Sequence, residues 1–143
     1  MIHTIHIING PNLNLLGQRE PEIYGTVTLA EIQEQIENAF PKIQFAFFQS
    51  NHEGEIIDYI QTLWGTKNTG LILNAGAYSH YSYAIHDALK GLSTPKIEVH
   101  LSNIYQRDTF RTHSVLSSVC DGVIVGLGAQ GYILAVSGII LRF

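Results

Sequence analysis

The sequence is poor in charged residues. Only 14% of its 143 residues are Asp, Glu, Lys or Arg, against roughly 25% in a typical soluble domain. No apolar run approaches the roughly 18 residues that a bilayer-spanning helix needs. Surface buried between subunits explains the missing charge better than a membrane does. We therefore expect an oligomer without a membrane partner.

Cysteine and basic residues are also scarce. Cys120 is the single cysteine, which excludes an internal disulfide and a site built on several thiolates. The eight Lys and Arg residues are scattered along a chain of formal net charge -4, so no basic stripe is available for nucleic acid. The apolar stretch 5–8 is interrupted by polar residues and lacks the basic flank of a signal peptide. We expect a cytoplasmic protein with no nucleic-acid partner.

Short segments rich in Ile, Val and Phe alternate with segments of helical periodicity. This alternation predicts a parallel sheet flanked by helices. The predicted strands are residues 5–8, 43–48, 71–74, 97–101 and 122–125. Five such strands fit a flavodoxin-like, doubly wound α/β fold with helices on both faces, and residues 1–143 are expected to form a single catalytic domain.

The predicted helices have recognisable boundaries. Thr28 and Glu31 have the spacing of a capping box, and Pro41 is expected to end the helix that they begin. A second helix places Trp64 on its apolar stripe and is expected to end at Gly65, a residue suited to a left-handed cap. A third helix contains residues 84–89, and the last contains residues 133–140.

Residues 9–25 read NGPNLNLLGQREPEIYG and have neither strand nor helix periodicity. Structureless connections of this length are uncommon in compact domains and usually form functional lids. This loop follows the first strand, while Asn74 and His100 end the third and fourth strands, and ligands of open α/β sheets bind at such carboxyl ends. The sequence thus predicts a crevice lined by amides and imidazoles, which disfavours metal chemistry that needs carboxylates.

Four segments resemble, in order and spacing over nearly the whole chain, the signature segments of type II dehydroquinases (3-dehydroquinate dehydratases). They are residues 9–25, NAGAYSH at 74–80, EVH at 98–100 with Ser102 and Asn103 following, and FRTHS at 110–114. The resemblance implies a lyase of the shikimate pathway, which serves aromatic amino acid and chorismate biosynthesis. Such an enzyme eliminates water from 3-dehydroquinate to give 3-dehydroshikimate through an enolate, without metal or cofactor. It also implies self-association as trimers and, further, as a homododecamer.

The resemblance assigns five catalytic residues. Tyr24 is the base, and because phenols have a reference pKa of about 10, Arg19 is expected to favour its phenolate. His100 is the acid, and Glu98, two residues earlier on the strand, orients its ring. Asn12 stabilises the enolate oxygen. Without the resemblance, an aromatic anchor at a turn is an equal alternative for Tyr24. A hydrogen-bonded core histidine is then the favoured interpretation of His100, and a turn asparagine is a credible one of Asn12.

The resemblance also assigns the substrate contacts. Asn74, His80 and Arg111 are expected at the hydroxyls and the carbonyl side. The adjacent backbone amides of Leu101 and Ser102 are expected to hold the carboxylate, as successive amides form a concave anion site.

Two charged residues have less certain places. Asp87 is expected to reach the site of a neighbouring subunit, although the sequence alone favours a solvated acid on a helix face. Arg107 either supports the lid or pairs with an acid, and surface exposure is equally compatible with its position.

Gly126, Gly128 and Gly131 form a G-x-G-x-x-G after a predicted strand, the spacing of a dinucleotide-binding turn. That turn requires an acidic residue about 20 positions on, whereas none of the twelve residues after Gly131 is acidic. A packing role is therefore expected for these glycines. A flavodoxin-like module that binds a flavin or nucleotide is the alternative function, and an assembly protein is a third.

Overall fold

The computed structural model describes residues 1–143. Its centre is one five-stranded sheet in which all neighbouring strands are parallel, in the order β2-β1-β3-β4-β5. The strands are β1 (Thr4–Asn9), β2 (Gln44–Gln49), β3 (Thr69–Asn74), β4 (Lys96–His100) and β5 (Gly122–Val125). The flavodoxin-like prediction is confirmed, and the predicted strand ends differ from the observed ones by at most two residues.

Five α-helices accompany the sheet: α1 (Pro21–Tyr24), α2 (Leu29–Ala39), α3 (Glu53–Gln61), α4 (Tyr83–Lys90) and α5 (Gln130–Arg142). The predicted capping box is confirmed, since Thr28 Oγ1 accepts from the Glu31 N–H and Glu31 Oε2 accepts from the Thr28 N–H. No helix combines the length and the apolar character needed to cross a membrane.

The end of α3 differs from the prediction. The helix ends at Gln61, and the turn after it contains Gly65 in the expected left-handed conformation, with φ of 74°. Trp64 is 59% exposed, so its predicted place on the buried stripe is wrong. The reason is local, because residues beyond the last helical turn no longer follow the helical period.

The sheet separates two apolar layers. Helices α2 and α5 pack on one face with the β1 side chains Ile5 and Ile7. Helices α3 and α4 pack on the other face with Ile8, as the alternation of side chains along a strand requires. Each fully buried Ile contributes roughly 1.5–3 kcal/mol. Three buried polar residues, Asn9, Asn74 and His100, are the last residues of their strands.

The sequence predicted a structureless segment between β1 and α2, but the structure shows local order there. Leu13 and Leu16 are 5% and 4% exposed and belong to the core, and α1 occupies the far end of the segment. Gly17 and Gly25 have φ of 89° and 81°, a backbone conformation that glycine adopts without strain. We call residues 17–25 the lid, because the leucines anchor the chain before it.

Candidate active site

The polar ends of β1, β3 and β4 lie side by side. Asn9 and Asn74 are paired in register, and His100 ends β4. A cleft of about 110 Å³ lies between these ends and the lid. Nine of the residues predicted from the sequence line it, which places one site where the three strand ends converge: Asn12, Arg19, Tyr24, Asn74, His80, His100, Leu101, Ser102 and Arg111.

Glu98 lies behind His100 and does not line the cleft. The Nε2–H of His100 donates to Glu98 Oε1 at 2.7 Å, and the two side chains are 6% and 0% exposed. The expectation that both side chains lie on one face of β4 is confirmed. Because Nε2 is engaged by the carboxylate, Nδ1 is the ring nitrogen of His100 that is left for a ligand.

Two serines complete the surroundings of Glu98. The Ser114 hydroxyl donates to Oε1 and the Ser117 hydroxyl donates to Oε2. Burial acts to raise the pKa of Glu98, but the hydrogen bonds from His100, Ser114 and Ser117 outweigh it and hold the pKa below its usual value. Glu98 is therefore a buried anion with satisfied oxygens, and its position fixes the orientation of the imidazole.

His80 stacks beside His100, with 6.2 Å between the ring centroids. Its Nδ1 lies 2.8 Å from the His113 carbonyl oxygen, which can only accept, so Nδ1 carries a proton and Nε2 is free to accept. Burial lowers the pKa of His80, and the nearby Arg111 charge acts in the same direction, against the hydrogen bond to His113. His80 thus suits the role of a neutral hydrogen-bonding group.

Two guanidinium groups lie over the ring of Tyr24. Arg19 Cζ and Arg107 Cζ are each 5.0 Å from the centroid of its ring. Arg107 also donates from Nη1 to the Ser102 hydroxyl at 3.3 Å and lines the cleft. The sequence left open whether Arg107 supports the lid, pairs with an acid or is exposed, and its contact with Tyr24 agrees with the first of these.

Asn12 has a left-handed backbone, with φ of 68°. Its N–H donates to Asn51 Oδ1 at 3.0 Å, and the Asn51 carbonyl accepts from the Tyr78 hydroxyl at 2.8 Å. Asn51 follows β2 and so ties the loop after β1 to the loop after β3. The sequence analysis missed it, although an asparagine directly after a strand was a usable signal.

The backbone N–H groups of Leu101 and Ser102 donate to no backbone carbonyl. Both residues line the cleft, so these amides are available to an anion. Arg111 lies at the same cleft with its guanidinium Nε 3.4 Å from Asp108 Oδ2. This side of the site can therefore accommodate a carboxylate.

Asp87 does not line this cleft. It lies on α4 with its side chain 80% exposed, and its Oδ1 accepts from His86 Nδ1 at 3.1 Å. The structure therefore does not bring Asp87 together with the other predicted residues of the same chain.

Two remaining features have packing explanations. Burial raises the pKa of Cys120 to about 12, which makes its thiol a poor nucleophile. A Cβ on Gly131 would lie 3.3 Å from Val99 Cγ1 and 3.4 Å from Ile124 Cγ2, so this glycine allows α5 to approach the sheet closely.

No three His, Cys, Asp or Glu side chains gather in a way that could hold a metal ion.

Comparison with known proteins is consistent with this geometry. Residues 3–140 match the family described as Dehydroquinase class II. A 3-dehydroquinate dehydratase of Bacillus subtilis is 54% identical over 133 residues, which are 91% of this chain and 88% of that protein. A 3-dehydroquinate dehydratase of Azorhizobium caulinodans is 49% identical over 141 residues, which are 97% and 95% of the two chains.

The fold is also similar to solved structures. The type II dehydroquinase of Butyrivibrio crossotus superposes with a TM-score of 0.94 at 46% identity and covers 97% of this chain and 98% of its own. Residues 3–140, which match the family, include every strand end and loop that forms the cleft. The chain therefore belongs to the class II dehydroquinase family.

Proposed function

We propose that the chain catalyses the elimination of water from 3-dehydroquinate, which gives 3-dehydroshikimate. Family membership makes the chain a lyase of the dehydratase type. The observation that supports the reaction most directly is the cleft, in which Tyr24 contacts two arginines and His100 is held by a buried carboxylate. A base and an acid thus line one cavity, as an elimination requires.

In the proposed mechanism Tyr24, as its phenolate, removes the proton beside the ketone. The electron pair of that C–H bond moves to the carbonyl oxygen and forms an enolate. Arg19 and Arg107 place two cationic groups against the ring of this base. The amide of Asn12 donates to the enolate oxygen, where negative charge develops.

The second half of the proposed reaction expels the hydroxyl group. The enolate electrons return to form the conjugated double bond, and the C–O bond breaks as His100 delivers a proton that makes the leaving group water. Glu98 keeps the ring of His100 in place throughout, because its carboxylate has no exposed surface and accepts from the ring at 2.7 Å. No step requires a metal or a redox cofactor.

The proposed binding mode uses the remaining polar groups of the cleft. The free N–H groups of Leu101 and Ser102 would receive the substrate carboxylate, while Asn74, His80 and Arg111 would contact its hydroxyls and carbonyl side. The free backbone amides suit an anion, and the neutral His80 suits a hydroxyl.

We further propose that residues 1–143 form a single catalytic domain that acts in the shikimate pathway in the cytoplasm. Trimers, assembled into a dodecamer, would place Asp87 at a neighbouring site. The large exposed side chains Tyr81, Tyr83 and Leu141 support such association, because they are 59%, 71% and 87% exposed in the isolated chain.

The deciding experiment is turnover of 3-dehydroquinate, followed by the ultraviolet absorbance of the conjugated product. We expect turnover that withstands exhaustive chelation. A colourless protein with no bound nucleotide and full activity would oppose the flavin- or nucleotide-binding alternative. Absence of turnover by folded, assembled protein would refute the proposed reaction, and activity that is lost on chelation and restored by a divalent ion would refute the mechanism.

A further inference from the structure

Tyr132 lies outside the cleft but is bonded to a residue that lines it. It belongs to α5, and its side chain is 0% exposed. Its hydroxyl donates to Asn9 Oδ1 and accepts from Asn74 Nδ2, the latter at 3.1 Å. Asn9 and Asn74 are the paired last residues of β1 and β3. No step of the proposed mechanism uses this hydroxyl.

The hydrogen bonds determine which way the Asn74 amide faces. A phenol hydroxyl has one proton to donate, and it donates this proton in the hydrogen bond to Asn9 Oδ1. The Tyr132 oxygen can therefore only accept a hydrogen bond from Asn74. On the other side, the Gly76 N–H donates to Asn74 Oδ1 at 3.2 Å. A reversed amide would oppose oxygen to oxygen at Tyr132 and N–H to N–H at Gly76. One donor position and one acceptor position of Asn74 then remain for a ligand in the cleft.

The donor role of Tyr132 is stable to pH. Burial raises the pKa of its hydroxyl well above the usual value, against the smaller lowering effect of the Asn74 bond. The proton on Tyr132 therefore remains in place at any pH at which the protein works. Asn9 is 1% exposed and Asn74 is 3% exposed, so water cannot readily replace a lost partner of either amide.

The glycines before Tyr132 explain how the hydroxyl reaches this place. Gly131 lies close to Val99 and Ile124 on the sheet, so α5 begins in close contact with β4. The side chain of Tyr132, the next residue, then reaches the ends of β1 and β3. The G-x-G-x-x-G segment, which binds no ligand in the proposed function, thus has a consequence for the cleft.

We propose that Tyr132 is a positioning residue for substrate binding, whose hydroxyl fixes the Asn74 amide in the orientation that presents its free donor and acceptor to the substrate. The inference rests on the proposed function, because it assumes that Asn74 contacts 3-dehydroquinate. It predicts a defect in binding rather than in the proton transfers, since the Tyr132 hydroxyl is hydrogen-bonded to Asn9 and Asn74 and not to Tyr24 or His100.

The test compares Tyr132→Phe with Tyr59→Phe in the assembled protein. Tyr59 is the matched control: it also loses a hydroxyl bonded to a partner, His6 Nδ1 at 2.9 Å, but on the other face of the sheet and away from the cleft. We expect Tyr132→Phe to raise KM roughly 5- to 20-fold, the effect of one or two lost hydrogen bonds, with kcat changed less than about twofold. Tyr59→Phe should leave both constants unchanged.

A third variant tests whether the effect passes through Asn74. In an Asn74→Ala background, Tyr132→Phe should raise KM no further, because residues that act through one contact are not additive. An unchanged KM in Tyr132→Phe, or a full additional rise in the double variant, would overturn the inference. A lowered Tm with normal KM would assign Tyr132 to stability alone and would overturn it equally.

A further substitution keeps the test decisive if Tyr132→Phe does not fold. Asn9→Ala removes the acceptor of the Tyr132 hydrogen bond and leaves the side chain of Asn74 unsubstituted. It should raise KM in the same direction, because the hydroxyl loses its fixed orientation, and a normal KM would refute the proposal. An inactive wild-type chain would instead refute the proposed function, and with it the substrate contact that the inference assumes.

Discussion

Replacing Tyr24 with phenylalanine separates chemistry from folding more sharply than any other change in the cleft. The substitution removes one oxygen and keeps the ring, and both arginine contacts are made to the face of that ring at 5.0 Å. Each cation–π contact contributes about 0.5–1 kcal/mol at a partly exposed site, and phenylalanine retains both. We therefore expect the free energy of unfolding to change by less than about 0.5 kcal/mol.

Turnover should respond very differently. General base catalysis is worth about 10²- to 10⁴-fold in rate, so kcat of Tyr24→Phe should fall by at least about 10²-fold, while KM should change far less. Product absorbance measures the rate, and urea unfolding measures stability.

Tyr105→Phe is the matched control, because Tyr105 is 65% exposed and does not line the cleft. It should leave both measurements unchanged. Near-normal turnover of Tyr24→Phe would refute the assignment of the base and direct attention to His80 or His100. A fall in turnover that is matched by loss of stability would also oppose it.

Four further results are expected. Arg19→Ala should lower kcat by roughly tenfold, because one cation beside the phenol is lost. The unfolding free energy of the wild type should fall as pH drops below about 4.5 through the lowered pKa of Glu98; Glu98→Gln, less stable at neutral pH by about 1–3 kcal/mol, should lose less over that range. Trypsin cleavage at Arg19 should slow when a substrate analogue orders the lid. Mixed subunits of inactive Tyr24→Phe and inactive Asp87→Ala should regain some activity through hybrid sites.

Each of these has a contrary outcome. An Arg19→Ala enzyme with raised KM and an unchanged kcat would leave substrate binding as the role of Arg19. Equal acid sensitivity of Glu98→Gln and the wild type would mean that the buried anion does not contribute to the loss of stability. Cleavage at Arg19 that is independent of ligand would show a lid that is already fixed. Mixed subunits that exchange without regaining activity would place Asp87 in the site of its own chain.

The buried pair in β4 illustrates what periodicity can predict. Residues two apart on a strand point to the same side, and the observed bond between His100 and Glu98 has that origin. The partners Ser114 and Ser117, which are 16 and 19 residues from Glu98, are different. They come from a loop whose path depends on packing over the sheet, and no sequence spacing indicates which oxygen each would meet.

The segment of residues 9–25, which includes the lid, shows the same division. Its polar composition and its position after the first strand predicted a functional segment, and most of the predicted residues do line the cleft. The composition did not predict that Leu13 and Leu16 are buried anchors, because their burial requires the neighbouring core cluster. The role of Arg107 was left open for a related reason, since its contact with Tyr24 exists only when two loops that are distant in sequence meet over the strand ends.

The sequence by itself determined the order of strands and helices, the faces that are buried, the capping of α2 and the segments that meet at the carboxyl ends. These features depend on hydrophobic periodicity and on groups close together in the chain, which interact whatever the remainder does. The tertiary structure alone decided that Arg107 stacks on Tyr24, that Asn51 holds Asn12, and that Tyr132, 58 residues from Asn74, orients its amide. Such contacts depend on how helices and loops pack across the sheet, and that packing cannot be predicted from local sequence patterns.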